Sequence, residues 1–448
     1  MRMKKLIALC LAVVMCVALF AACGSDPAPT PSGDTPPAPA TNDTGSSDPP
    51  SAPPAPTEAV TLKILAGQST TDAGIERMID AAMARRYPNI TLEWELVDWG
   101  RDFQPRMQLY IQSGLPDVMV GKAQDVLTYG SLGLLGNLSG QAYLNEVLEA
   151  AVPGVTVDGQ VLGLVYNALY QGVYYNRALF SQYNVQLPNS MAELQSAIDT
   201  FNANDIMPFA THMVDTWSIG NVTMQFAVNE VFRNTPNWGD LFRDNQRNYV
   251  DSPEFRRSYE RNMLIYQNTW QDLTFSMEQT ACDARLVMGE AAMKVSGSWS
   301  IQNFLDIDEN FDFGIFPFPN EDGDAKLLFE PNITFMKSVD SPNQDAINAL
   351  FDVLVNDKEL ALEIYNFTKT APMIKGVTPS FPNPSQSDID MFAAQDRIID
   401  VNLGNNQLQW GGFQEENARD IAEWLQGNVT IEDALRAADA RRAQSRSS

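Results

Sequence analysis

The sequence predicts an α/β protein of two lobes, each an open, mainly parallel sheet flanked by helices. Three observations carry this. From Val60 onward, stretches of period-two hydrophobic alternation are interleaved with stretches of helical spacing, the pattern of a parallel sheet with helices on its faces. The chain has 448 residues, whereas a single hydrophobic core stops growing at roughly 250–300 residues. The same strand-then-helix order returns in the second half, so one lobe does not account for it.

The first 59 residues stand outside that pattern. Arg2, Lys4 and Lys5 precede Leu6 to Phe20, an uncharged apolar run of 15 residues that ends in Ala21-Ala22 before Cys23. The run is short for a membrane span and has signal-peptide proportions, so residues 1–22 are expected to be removed. Phe20-Ala21-Ala22-Cys23-Gly24 resembles a bacterial lipobox, with Phe20 where Leu is usual, which implies a diacylglyceryl group on the Cys23 sulfur. Two or more acyl chains on one cysteine anchor stably. Residues 24–59 hold 11 of the 27 prolines and no Val, Ile, Leu, Met, Phe, Trp or Tyr. Such a segment cannot bury enough apolar surface to offset its ordering entropy, so residues 23–59 read as a lipidated cysteine on a disordered tether.

In the body, Val60, Leu62 and Ile64 alternate with Thr61 and Lys63, and Gly67-Gln68-Ser69-Thr70-Thr71-Asp72 forms a polar loop that can cap a helix. Ile75, Met78, Ile79 and Ala82 follow at helical spacing until Tyr87-Pro88-Asn89. Ile90, Leu92, Trp94 and Leu96 alternate as a second strand, with Trp94 a packing residue. Phe103, Met107, Tyr110 and Ile111 mark a second helix, and Pro116 to Gly121 reads as a short buried strand. Later, Ser190 and Glu193 form a capping box, Ile206 to Ala210 and Gly289 to Val295 read as strands, and Gly297-Ser298-Trp299 opens a helix. Thr430 caps a terminal helix through Ala434, Leu435 and Ala438.

Composition removes several functions. A net charge of −26 repels phosphate backbones, so nucleic acid is not an expected partner. Removing residues 1–22 takes away Arg2, Lys4 and Lys5, which moves the charge from −26 to −29. The single histidine, His212, leaves no His pair for a metal site, and no Ser or carboxylate constellation stands around it. It reads as a hydrogen-bonded loop or rim residue. The four cysteines are Cys10, Cys16, Cys23 and Cys282, so the mature chain has one unmodified thiol and no disulfide framework. No cofactor motif such as a P-loop or G-x-G-x-x-G is present.

Five segments in order resemble the carbohydrate-type extracellular solute-binding proteins of ABC importers. They are Pro116-Asp117-Val118; Gly163-Leu164-Val165 with Gly172-Val173-Tyr174-Tyr175-Asn176-Arg177-Ala178-Leu179-Phe180; Leu187-Pro188 with Met191-Ala192-Glu193-Leu194; Gly289-Glu290-Ala291-Ala292-Met293 with Gly297-Ser298-Trp299; and Gly427 with Glu432-Asp433-Ala434-Leu435. Val165 stands where the family often has Pro, and Met191 where it has Trp. The resemblance implies a periplasmic-binding-protein-like fold with crossover strands and a ligand cleft between lobes. One lobe would comprise 60–166 plus 333–378, the other 172–328 plus 385–441.

Ligands of open α/β sheets lie beyond the carboxyl ends of the strands. On that rule and the family layout, the candidate ligand-binding residues are Gln68, Lys122, Gln124, Tyr166, Asn167, Tyr170, Trp217, Trp299, Glu330, Asn332 and Trp410. Flat aromatics with neutral amides suit a sugar, whose C–H patches lie on ring faces and whose hydroxyls want planar partners. The resemblance implies a carbohydrate ligand, ABC permease subunits as partners, a membrane anchor through Cys23 at the extracytoplasmic face, a monomer, and no enzyme activity. Two other functions stay open from the residues: an anchored glycoside hydrolase, which needs two carboxylates roughly 5–10 Å apart, and a sensory component that presents ligand to a receptor.

Overall fold

A computed structural model describes residues 58–68, 73–99, 102–401 and 413–443. The signal, tether and Cys23 lie outside the described residues, as do Ser69 to Asp72 and Trp410. Among the described residues no helix is long and apolar enough to cross a membrane.

The strands, in chain order, are β1 (Val60–Gln68), β2 (Ile90–Asp98), β3 (Val118–Gly121), β4 (Thr156–Val157), β5 (Gln160–Val161), β6 (Leu164–Val165), β7 (Asn167–Asn176), β8 (Met207–Phe209), β9 (Ala291–Gly297), β10 (Phe313–Phe316), β11 (Leu327–Pro331), β12 (Thr334–Lys337), β13 (Ala371–Pro372) and β14 (Ile398–Asp400). The first sheet has the order β2-β1-β3-β12-β6. β1 lies between two parallel partners, and its Leu62, Ile64, Leu65 and Ala66 are buried, as expected of a strand covered on both faces. β2 is the sheet edge and carries Glu93 and Glu95, charges that discourage pairing with another chain. The helix Ile75–Arg86 packs Ile75, Ile79, Ala82 and Met83 inward and stops at Tyr87, because Pro88 restricts the residue before it. The helices Gln344–Asn356 and Lys358–Thr368 complete this lobe with Ile347, Leu350, Phe351, Leu354 and Ile364 in the same core.

The second sheet runs β14-β11-β7-β9-β8, with β10 and β13 also on β7. It is mixed: β7 is antiparallel to β9, β10, β11 and β13, while β8–β9 and β11–β14 are parallel. The reason is its origin. β7 enters from the first sheet through Tyr166 alone, so it runs against neighbours whose helical connections lie within the second lobe. Asn176 ends it and caps the helix Arg177–Gln182, its Oδ1 accepting from Leu179 N at 3.2 Å. The capping box expected at Ser190 with Glu193 forms, and Thr430, expected as a cap, also closes a box with Asp433.

The chain passes between sheets at β6–β7 and at β11–β12. Val165 pairs with Thr334, and Thr334 with Gly121 at the carboxyl end of β3. On the other side, Gln171 pairs with Gly297 at the carboxyl end of β9. The register therefore turns the carboxyl ends of β3 and β9 towards the same crossing strands.

Candidate functional site

In each lobe a glycine at or next to the end of a strand lies beneath a tryptophan. In the first, Trp99 follows β2, and a Cβ on Gly67 would lie 2.3 Å from its Cε3. In the second, a Cβ on Gly297 would lie 2.1 Å from Cζ3 of Trp299. Real side-chain atoms do not approach this closely, so both indoles hold their places because residues 67 and 297 lack a side chain. Phe103 supports Trp99 at a centroid distance of 4.7 Å, and Trp217 meets Trp299 edge-to-face at 6.3 Å and 76°.

The wall of the first lobe continues through the loop after β3. Lys122 caps the helix Ala123–Ser131, and its backbone N–H donates to Asp125 Oδ2 at 2.7 Å. Burial pushes the Asp125 carboxyl up to about 6, against the bonds from Lys122 N–H and Gln104. The Lys122 ammonium stands 5.3 Å from the Trp99 ring centre and 3.2 Å from Glu330 Oε1. Gln68 donates to Glu76 Oε2 at 3.2 Å. Gln124 is 1% exposed, and neither end of its side-chain amide has a partner. A buried amide left this way costs about 1–3 kcal/mol.

Between the walls, Glu330 on β11 is enclosed and binds Lys122 with one oxygen and Gln171 with the other. Both oxygens are engaged, which holds the carboxylate in place between the two segments. The backbone N–H of Tyr170 on β7 donates to Ser298 Oγ at 2.9 Å, and its ring lies 5.7 Å from Phe329. Burial raises its phenol pKa. The second lobe adds a shallow concavity lined by Thr211, His212, Trp217, Asn221, Ser296 and Trp299. These residues follow the carboxyl ends of β8 and β9 or lie on the helix Thr216–Ala227. Below it, Lys294 and Asp283 form a fully buried ion pair, and Asp283 also accepts from Asn303 at 2.9 Å. Another shallow concavity lies beside Gly172, Gln225 and Arg261. Its charges are spent on Arg261–Glu230 and Arg257–Glu230 pairs.

Three expected residues belong to the passage between lobes. Asn167 is enclosed and uses its whole amide within the chain: Oδ1 accepts from Ile333 N at 2.8 Å, and Nδ2 donates to Thr370 Oγ1 at 2.9 Å. Tyr166 is 1% exposed and stacked on Tyr365 at 5.3 Å, in the core of the first lobe. Asn332 is buried, and its N–H donates to Asn167 O at 2.9 Å. These contacts tie two crossing segments together, and ligand contact at Tyr166 and Asn167 would need that knot to open.

Sequence reading missed Trp99, His212 and Asn221. Trp99 was accessible to the rule that found Gln68 and Lys122, since it follows a strand end. His212 is 5% exposed, lies 5.4 Å from Trp217, and has no partner at Nε2. Burial, then the Lys294 charge, pushes its imidazole down to about 3. Burial likewise pushes the Cys282 thiol up to about 11, so it is an inert packing residue. Among the described residues no group of three or more His, Cys, Asp or Glu could hold a metal.

The family model for bacterial extracellular solute-binding proteins matches residues 78–393. A multiple sugar-binding protein of Streptococcus mutans is 22% identical over 276 residues, which is 59% of this chain and 63% of that protein. Among solved structures, a chitin oligosaccharide binding protein superposes with a TM-score of 0.72 at 19% identity, covering 87% of this chain and all of the other. RafE in complex with raffinose superposes with a TM-score of 0.70 at 16% identity, covering 85% and 98%. The two-lobe fold and the span of the family match agree, and the chain belongs to the bacterial extracellular solute-binding proteins.

Proposed function

We propose that the protein captures a sugar or oligosaccharide between its two lobes and delivers it to the permease of an ABC importer. The observation that supports this best is the pair of tryptophan-over-glycine platforms, Trp99 on Gly67 and Trp299 on Gly297. Indole faces suit the apolar C–H patches of a sugar ring, and the polar groups around them suit its hydroxyls. Lys122, Gln124, Tyr170, Trp217, Trp299 and Glu330 form the ligand-binding set, with Gln68 at its edge. Tyr166, Asn167 and Asn332 hold the hinge. Trp410 and its neighbours Asn405, Asn406, Gln407 and Gln409 have the same chemistry in sequence and join the set on that ground alone.

The lobes, 60–166 plus 333–378 and 172–328 plus 385–441, close because a ligand touching both walls binds the closed form more tightly. The protein works as a monomer held by Cys23 at the outer face of the membrane, with residues 24–59 as its tether. Calorimetric titration of the mature body with raffinose, chitin oligosaccharides and a wider sugar panel tests the capture. Saturable binding of at least one sugar is expected; no heat and no thermal stabilisation with any of them would refute it. Labelling of expressing cells with radioactive palmitate tests the anchor: the label is expected on the unaltered protein and absent from Cys23→Ala.

A further inference from the structure

His212 follows β8, is held by its backbone oxygen accepting from Ser218 Oγ at 2.8 Å, and has its ring against Trp217. Among the described residues its Nε2 is buried without a hydrogen-bond partner, and His212 lines a shallow concavity with Trp217, Asn221, Ser296 and Trp299. An imidazole nitrogen is an obligatory hydrogen-bonding group, and an orphan of this kind next to a concavity is best explained by a partner that arrives.

We infer that His212 is a specificity residue of the cleft, pairing through Nε2 with a hydroxyl of the sugar ring that lies against Trp217 and Trp299. The inference rests on the sugar-capture reading and adds to it the polar group that fixes the ring's orientation in the second lobe. Stacking on an indole is tolerant of which way hydroxyls point. A single directed hydrogen bond is not, because a sugar without a hydroxyl there leaves the nitrogen unpaired. Lys294, already engaged by Asp283, is the charge that bears on the ring, and together with burial it keeps the imidazole neutral. A neutral ring suits an uncharged ligand and holds its character across the pH range of most habitats.

The chain has one histidine, so selective labelling gives an unambiguous signal. Protein labelled with 15N-histidine is titrated with whichever sugar of the panel binds the unaltered body, and the same sugar is titrated into His212→Phe by calorimetry. The Nε2 resonance is expected to move by several parts per million on saturation, and His212→Phe is expected to bind at least about 10-fold more weakly. A resonance unmoved at saturation, or unchanged affinity in His212→Phe, overturns the inference while leaving sugar capture intact. If the unaltered body binds no sugar, the capture reading fails and this inference falls with it. The resonance measurement uses the unaltered chain and stands even where the variant does not fold.

Discussion

Trp299 carries more of the proposed recognition than any other side chain, because it presents a face beside the crossing strands and rests on Gly297 and Trp217. Truncating a central aromatic anchor typically costs 2 kcal/mol or more. Trp299→Ala is therefore expected to weaken sugar binding by roughly 30-fold in calorimetry, while thermal unfolding stays close to that of the parent, since the ring is half-buried. His212 yields a prediction in pH. Its folded value, about 3, lies below the ordinary 6.5, so the unfolded chain takes up a proton that the folded protein refuses. The stability this contributes is complete above 6.5 and is lost as pH falls towards 3. Between pH 6.5 and 5 the loss is about 1.5 kcal/mol. Asp125, pushed up to about 6, works in the opposite sense over the same window, so the quantity to measure is the difference between the parent and His212→Phe. Denaturant titrations at both pH values are expected to show the parent losing that much more than the variant; equal losses would contradict the burial of a neutral ring. Trp217 and Trp299 were legible in the sequence because they follow strand ends. His212 was not, since a lone histidine without a sequence partner says nothing about an orphaned nitrogen. Tyr166 and Asn167 sit at the right crossover, but only the three-dimensional knot with Ile333, Thr370 and Tyr365 reveals what their side chains do.

At the scale of elements, the decisive feature is a strand that ends in glycine under an indole. Gly297→Ala would place a Cβ within the Trp299 ring, so the ring must move while β9 keeps its ladder with β7 and β8. Sugar affinity is expected to fall at least about 10-fold with a stability change of about 1 kcal/mol or less. A variant that binds as the parent does would show that the ring's seat is immaterial. Elements with strong local signals were legible: β1, β2 and the helix between them from their two periodicities, and the helices after Ser190 and Thr430 from their capping residues. The mixed second sheet was not. Strand direction there depends on β7 arriving from the other lobe, and periodicity within one strand carries no information about its neighbour's direction. The helices Gln344–Asn356 and Lys358–Thr368 carried no part of the sequence argument, yet they fill the core of the first lobe.

For the whole molecule, the account makes the cleft a two-sided trap. The Lys122–Glu330 pair joins the loop after β3 to a crossing strand, and Gln171 binds the other oxygen of Glu330 from β7. The walls are thus linked at their base by polar contacts and at their faces by whatever ligand spans them. Two lobes were legible from length and from the return of the strand–helix order; where the chain crosses depended on the resemblance of the Gly163 and Gly172 segments, since crossings cannot be read from periodicity. The most direct measurement is small-angle scattering of the mature body with and without a saturating sugar identified by titration. The radius of gyration is expected to fall by about 1 Å as the lobes close on the ligand. Tight sugar binding with an unchanged scattering curve would contradict capture by closure.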